Sequence, residues 1–322
     1  MEIKLFSTSA LQQETDALVL YLFENETTFD PLTSAIDQAL NHGLQDLFTH
    51  GDFTGKSAQI ALIYPRGSLS AKRVMFIGLG QRADLKLEGF RRAVASSVKK
   101  ARELKLNRVA AILPFSETWS ALDLSRAFAE GAHLGAYIYQ GQKSETTEEL
   151  PAILELFASD DQQSSIETGV KEGSIIASGT ITTRNLVNLP PNICTPTYLS
   201  SVARNVADRA GLKITVLDKD QIEELHMGAL LAVAQGSDTP PRFIILEHHA
   251  AQTELPTIVL IGKGVTFDTG GYNLKTGEGM IGMKADMAGG AAVIGAMQII
   301  GMLNLPLRVV GLIPASDNMI SS

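Results

Sequence analysis

A single cysteine, Cys194, stands among the 322 residues, so no disulfide can close within the chain, and a reducing compartment suits it. It lies in a proline-rich stretch, NLPPNICTP, with no histidine nearby to activate a thiolate, which argues for a structural thiol. No run reaches the ~18 apolar residues that a membrane-spanning helix needs. The first residues, MEIKLFSTSALQQETDALVL, lack a basic segment followed by an apolar core and a small-residue cleavage site. A cytoplasmic protein without membrane attachment is therefore expected. Positive charge is scarce as well: 27 Lys and Arg against 35 Asp and Glu leave a net charge of -8. Such a chain repels a phosphate backbone, which argues against a nucleic-acid partner. None of the six histidines (His42, His50, His133, His226, His248, His249) forms an HExxH or a His–carboxylate ligand spacing.

What remains is an ordinary globular composition, 45% hydrophobic and 19% charged, in a chain too long for one core. Two α/β domains are expected, residues 1–160 and 161–322. In the first, β-rich runs at Ala17–Phe23, Ala58–Tyr64, Arg73–Leu79 and Arg108–Leu113 alternate with helical patterns at Pro31–Asn41 and Leu87–Leu104. A helix over Ala121–Tyr139 follows, then a polar stretch, Lys143–Glu149, and a short strand within Pro151–Phe157. The second domain opens on a helix, Ile166–Val187, and continues through helix Tyr198–Ala210 and strands Lys213–Leu217, Arg242–Glu247 and Thr257–Gly262. Helix Met287–Leu303 and strand Leu307–Ile313 close it. The Gly78-Leu79-Gly80 turn lacks the third glycine of a dinucleotide loop and reads as a tight strand–helix connection.

The stretch richest in chemistry is IGKGVTFDTGGYNLKTGEGMIGMKADM, Ile261 to Met287. It begins at a strand's carboxyl end, where open α/β sheets bind ligands. It carries Lys263, Asp268, Lys275 and Asp286 among seven glycines, which permit sharp turns and close approach of backbone to a ligand. Asp286 leads into a helix whose first turn is small (Ala288, Gly289, Gly290, Ala291, Ala292), so that helix can pack tightly on the sheet. By spacing alone two acids and two lysines fit a solvated loop of surface ion pairs as well as a metal site. A phosphate cradle would want backbone N–H groups and lysine without two acids nearby.

GKGVTFDTGGYNLK followed by MKADM resembles the signature of the leucyl (cytosol) aminopeptidase family, two-metal exopeptidases that release N-terminal amino acids. The likeness extends to RNLVNLPPNICTP (Arg184–Pro196), MGALLAVAQGSDTPPRFIILE (Met227–Glu247) and EGAHLGAYIY (Glu130–Tyr139), and covers most of residues 70–322. It implies a macro-domain-like N-terminal sheet with flanking helices and an aminopeptidase-type catalytic sheet. It implies Lys263 as a metal ligand, Asp268 as a carboxylate bridging two metals and Asp286 as a terminal ligand on the metal that Lys263 binds. Lys275 matches a catalytic lysine that contacts the substrate carbonyl. Further implications are two divalent ions (Mn²⁺ or Zn²⁺, with Mg²⁺ as a further option), peptide substrates with a free N-terminus, and a homohexamer. Holding a lysine neutral at pH 7 costs on the order of 5 kcal/mol, which only binding to a dication offsets. Without metal, Lys263 should pair with Asp268 or Asp286.

Two departures are small: Thr269 stands where the family usually has Ser, and Ala288 where it often has Gly. A larger one concerns PASDNMISS (Pro314–Ser322), which resembles the segment before an Asn-Thr-Asp-Ala-Glu-Gly-Arg motif that brings the remaining ligands and a bicarbonate-holding arginine. From the sequence we therefore expect an incomplete catalytic sheet, a buried strand at Val309–Pro314 deprived of later neighbours, and little activity from these 322 residues alone. The competing reading is a non-catalytic binding or interaction module that keeps the fold. Met280 and Met283 are candidates for lining a substrate pocket, and Lys284 for an ion pair or a place in that pocket.

Overall fold

A computed structural model describes residues 1–26, 28–114, 116–142 and 151–321. The polar stretch Lys143–Glu149 lies outside the described residues. The chain divides into two compact units, one ending at Ala177 and the other beginning at Ser178 and taking in Gly141 and Gln142. The division falls inside a helix of 26 residues, whereas the composition of the sequence places the boundary near residue 160.

The first unit holds β1 (Glu2–Phe6), β2 (Ala17–Leu22), α1 (Pro31–Ala39), α2 (Gly43–His50), β3 (Ile60–Ile63) and β4 (Val74–Gly78). It continues with α3 (Leu87–Glu103), β5 (Arg108–Ala111), α4 (Ala121–Ala136), β6 (Ile153–Phe157) and the start of α5 (Gln163–Asn188). Its six strands lie in the order β1-β6-β5-β2-β4-β3. All pairs are parallel except β3 with β4. Every residue of β2 (ALVLYL) and β4 (VMFIG) is buried, the continuous apolar reading of strands covered on both faces. Val19, Met75 and Ile77 meet Phe90 and Val94 of α3 and Phe128 of α4 on one face. Leu18, Leu20 and Phe76 meet Ile36, Leu44 and Phe53 on the other. The strand β1 escapes a periodicity reading because its pattern is short and mostly half-exposed.

The second unit contains α6 (Pro196–Ala210), β7 (Lys213–Leu217), α7 (Lys219–Glu224), α8 (Gly228–Ala234) and β8 (Arg242–His248). After them come β9 (Thr257–Ile261), β10 (Gly264–Asp268), α9 (Gly277–Met280), α10 (Ala288–Met302) and β11 (Arg308–Asn318). Helix α6 starts as its sequence dictates: Thr195 accepts the Tyr198 N–H and Pro196 takes the first turn, where no N–H is needed. Strand β11 is the centre of the sheet, antiparallel to β8, which is in turn antiparallel to β7. On its other edge β9 pairs parallel with Arg308–Leu312, and β10 pairs parallel with Ala315–Asn318.

Two sequence expectations change here. Gly264–Asp268 is a strand, not loop; the alternating GVTFD segment is short and hidden between glycines. The Val309–Pro314 strand has partners on both edges and runs on to Asn318, so it is not deprived of neighbours. Within the strands of this sheet the exposed large apolar residues lie instead on β9, with Ile258, Val259 and Ile261 at 44%, 49% and 73% exposure. The helical stretch Gly277–Met302 passes a length-and-composition test for crossing a membrane. Its second part is α10, a core helix in which Ala291, Ile294 and Met297 are fully buried against β11 and α6.

Candidate active site

Strands β9 and β10 follow one another along one edge of β11, and the break between them is Gly262-Lys263. The Gly262 N–H donates to the Leu312 carbonyl at 3.0 Å, continuing the ladder. The Lys263 carbonyl then turns away to accept the Gly290 N–H at 2.7 Å, at the start of α10. The helix comes this close only because glycines face each other. A Cβ on Gly262 would lie 2.3 Å from the Gly289 carbonyl oxygen and 2.8 Å from the Gly290 Cα. The small first turn of α10 therefore seats the helix on the strand break. Asp286, two residues before α10, reaches Lys263: Nζ to Oδ1 is 3.0 Å.

Asp268 ends β10 opposite Asn318 in register. Between Val265 and Phe267 the β10–β11 register shifts, so Thr266 is an extra residue on the β10 side. Such a bulge bends a strand and re-aims the side chains beyond it. Thr266 is fully buried, and its hydroxyl donates to the Asp317 carboxylate, which also accepts from the Ser237 hydroxyl at 3.3 Å. Past the bulge, Asp268 Oδ1 accepts the Gly270 N–H at 2.9 Å and the Asn318 side-chain amide at 2.7 Å. Its Oδ2 meets Lys275 Nζ at 2.7 Å. The chain returns to place Lys275 there through a turn in which Gly270 has φ +91° and a Cβ would strike the Asn273 carbonyl at 2.4 Å. Only glycine fits that position. Thr269 closes the turn, its hydroxyl and N–H donating to the Asn318 carbonyl and its carbonyl accepting the Lys275 N–H, each at 2.9 Å.

The four residues singled out in the sequence thus stand as two ion pairs, Lys263–Asp286 and Lys275–Asp268. The first is one of the two pairings expected of Lys263 without metal. Met283 links the two groups: its sulfur lies 3.2 Å from Lys275 Nζ, in the turn that leads to Asp286. The Lys284 Nζ donates to the Asn188 carbonyl at the end of α5 at 3.1 Å. Sequence reading missed Asn318 and Thr266. The only local signal was the polar Ser316-Asp317-Asn318 ending to an apolar strand. His248 is buried, with its Nε2 2.9 Å from the Leu305 carbonyl, and Cys194 is buried with its thiol pushed up to about 11 by desolvation. Neither faces the site chemistry.

Burial pushes the Asp268 carboxyl up, but the Lys275 ammonium, the Gly270 N–H and the Asn318 amide outweigh it and hold the group below the usual carboxylate range. A carboxylate with a lowered folded-state pKa contributes stability above its unfolded value, ~3.9, and loses it as pH falls through the folded value. We expect Asp268→Asn to melt below the native chain at neutral pH, with the gap closing in acid below about pH 4. Melts across pH 2 to 7 check this; a gap that widens in acid would contradict it.

Metal fit rests on the donors themselves. Asp286 Oδ2 is buried and has no hydrogen-bond partner, so one oxygen of the carboxylate that pairs with Lys263 is left open. Two carboxylates and a lysine nitrogen suit a divalent cation. Among the described residues no group of three or more His, Cys, Asp or Glu side chains gathers as a ready-made metal cluster. The donors fit part of a metal centre.

Residues 181–322 match the family model described as "Cytosol aminopeptidase family, catalytic domain", and residues 19–146 match "Cytosol aminopeptidase family, N-terminal domain". A probable cytosol aminopeptidase of Roseiflexus castenholzii is 40% identical over 99% of the chain, and one of Alkaliphilus oremlandii 34% over 99%. The chain spans 64% and 65% of those relatives' lengths. Among solved structures, a mutant of tomato leucine aminopeptidase superposes with a TM-score of 0.85 at 28% identity, covering all of this chain and 64% of its own. The bottromycin maturation enzyme BotP in complex with Mn superposes at 0.76 with 30% identity, covering 95% of this chain and 60% of its own.

Proposed function

The chain belongs to the cytosol aminopeptidase family, matched along both its halves, and from this premise we propose that it carries part of a metal-dependent aminopeptidase centre. The substrates are peptides with a free N-terminus, and the products are leucine and other N-terminal amino acids. Lys263, Asp268 and Asp286 would hold divalent metal, two ions of manganese or zinc by the family resemblance. The observation that carries this reading is the buried, unpartnered Oδ2 of Asp286 beside Lys263, near an Asp268 that is likewise held by a lysine, Lys275. Manganese draws support from BotP, solved in complex with Mn.

Divalent ions, when bound, supply Lewis-acid polarisation of a carbonyl and a water acidic enough to attack at neutral pH. The protein's own part is charge placement. To act as a neutral nitrogen donor, Lys263 would release its proton to solvent and give up its pairing with Asp286. Asn318 and the Gly270 N–H keep Asp268 in one orientation while Lys275 is drawn off it. Lys275 then offers its ammonium to the carbonyl oxygen that gains negative charge during attack, the role of an oxyanion donor. Met283, already against Lys275, lines the wall that receives the substrate's first side chain.

Three side-chain donors cannot complete two coordination shells, since such ions take four to six ligands each. Residues 1–322 alone are therefore expected to bind metal weakly and to turn over little. A chain of the relatives' length is expected to be active, cytoplasmic and homohexameric. The test compares residues 1–322 with the longest reading frame that contains them, using a leucyl amide substrate and calorimetric titration of Mn²⁺ or Zn²⁺. The longer chain should hydrolyse the substrate only with metal. Full activity after exhaustive chelation would sink the metal reading. Two tight sites with turnover from residues 1–322 would overturn the partial-site reading. Metal-independent inertness of the longer chain would favour the binding-module alternative, which the two internal ion pairs also permit.

A further inference from the structure

The first unit has a cavity that the aminopeptidase reading does not use. In its sheet the chain leaves β2 for β4 on one side and then returns to β5 on the other. The crevice beyond the carboxyl ends of β2 and β5 is thus a topological switch point, where open α/β sheets bind ligands. A cavity of about 640 Å³ lies there, within the range of small-molecule sites. Its floor is apolar: Leu22 at the end of β2, Ile112 after β5, Leu124 of α4 and Ile166 of α5. Its walls carry flat rings, the half-buried Phe29 and Trp119.

The polar rim decides what class of ligand suits it. Glu26 and Asp30 bring acceptors. Glu26 accepts the Phe23 N–H at 3.2 Å and pairs with Arg82 at 2.6 Å, and Arg82 is stacked 3.9 Å above the Phe23 ring. The rim's guanidinium is therefore already matched by a carboxylate. Both helices that begin at the rim have closed their own ends. Asp30 accepts the Leu32 and Thr33 N–H groups of α1, and Ser120 and Asp123 form a capping box on α4. Among the described residues the N–H groups at the starts of α1 and α4 are thus taken up by their own caps, and two carboxylates disfavour a phosphate. Gly78-Leu79-Gly80 adds none, because Gly78 is pressed against the Gly55 and Lys56 backbone. A ligand with a planar ring for the aromatic walls and hydroxyl donors for fixed carboxylates matches this lining.

We propose that this crevice is a binding site for an uncharged nucleoside, its base against Trp119 and its sugar hydroxyls toward Glu26 and Asp30. The proposal is independent of the metal site. Trp119 is the single tryptophan of the chain, so its fluorescence reports on this cavity alone. The experiment titrates adenosine, AMP and indole into the 322-residue chain, reading Trp119 emission and, in parallel, heat. Adenosine should give one saturable site, with AMP and indole weaker by ~10-fold or more, the range that base–aromatic stacking commands. Trp119→Ala should weaken adenosine by a similar factor in calorimetry, while Trp119→Phe, which keeps a ring, stays within about threefold. Unchanged melting temperatures would show that both variants fold; if Trp119→Ala does not fold, Trp119→Phe and the three-ligand comparison decide. The proposal is overturned by the absence of saturable adenosine binding, by AMP binding as tightly as adenosine, by indole matching adenosine, or by a folded Trp119→Ala that binds unchanged.

Discussion

Replacing Lys275 with alanine is expected to lower kcat by ~10²–10³, the usual loss when one oxyanion donor is removed, in the longest reading frame that contains these residues. Metal content should not fall with it. The Lys275 ammonium occupies Asp268 Oδ2 at 2.7 Å and also donates to the Asp268 main-chain carbonyl at 3.0 Å. It competes with a cation for that carboxylate. Without the lysine, Asp268 keeps the Gly270 N–H and the Asn318 amide on Oδ1, so its orientation survives while its other oxygen is released. Metal affinity should hold or rise while turnover collapses. The check is steady-state kinetics on a leucyl amide beside metal analysis of the same preparation. Loss of metal in proportion to activity would make Lys275 a ligand and would remove it from the carbonyl.

Gly262→Ala is expected to destabilise the second unit strongly, by several kcal/mol, about the upper range for overpacking a close contact. The added methyl would stand 2.3 Å from the Gly289 carbonyl oxygen and 2.6 Å from its carbon. These are backbone atoms of a helix start and cannot rotate away. Relief requires α10 to lift from the strand break, which breaks the Gly290 N–H bond to the Lys263 carbonyl and moves Asp286 away from Lys263. Thermal melts should show a lowered transition for the second unit with the first unit's transition unchanged. Gly277→Ala is the control, since no atom lies within 4 Å of the position of its Cβ. Equal melting of the two variants would mean that the helix–strand contact is looser than described.

Lys263, Asp268, Lys275 and Asp286 were singled out in the sequence by the resemblance of GKGVTFDTGGYNLK and MKADM to a family signature; by residue type and spacing alone they fit a surface ion-pair loop equally well. Most strands and long helices were legible too. The buried runs of β2 and β4 have no alternation, as expected of parallel strands covered on both faces, and α6 carries its own cap and terminating glycine. Short elements were not. β10 has five residues between glycines, and α7 and α8 have six and seven, too few for a period to emerge. Asn318 was invisible for a different reason. It serves Asp268 across 50 residues of sequence, and nothing local to either residue marks the other.

The sequence by itself determined the class of the fold and the chemical inventory of the site, because helix and strand periods, caps, turns and residue types are all local properties. The tertiary structure alone decided how that inventory is wired. Lys263 pairs with Asp286 rather than Asp268 because α10 sits on the Gly262-Lys263 break. Asp268 faces Lys275 and Asn318 because a bulge at Thr266 shifts β10 against β11 just before it. Ion pairs and hydrogen bonds are settled at distances near 3 Å, and strand register and helix seating set those distances. Both come from packing between segments far apart in the chain, which local residue order does not encode in any readable pattern.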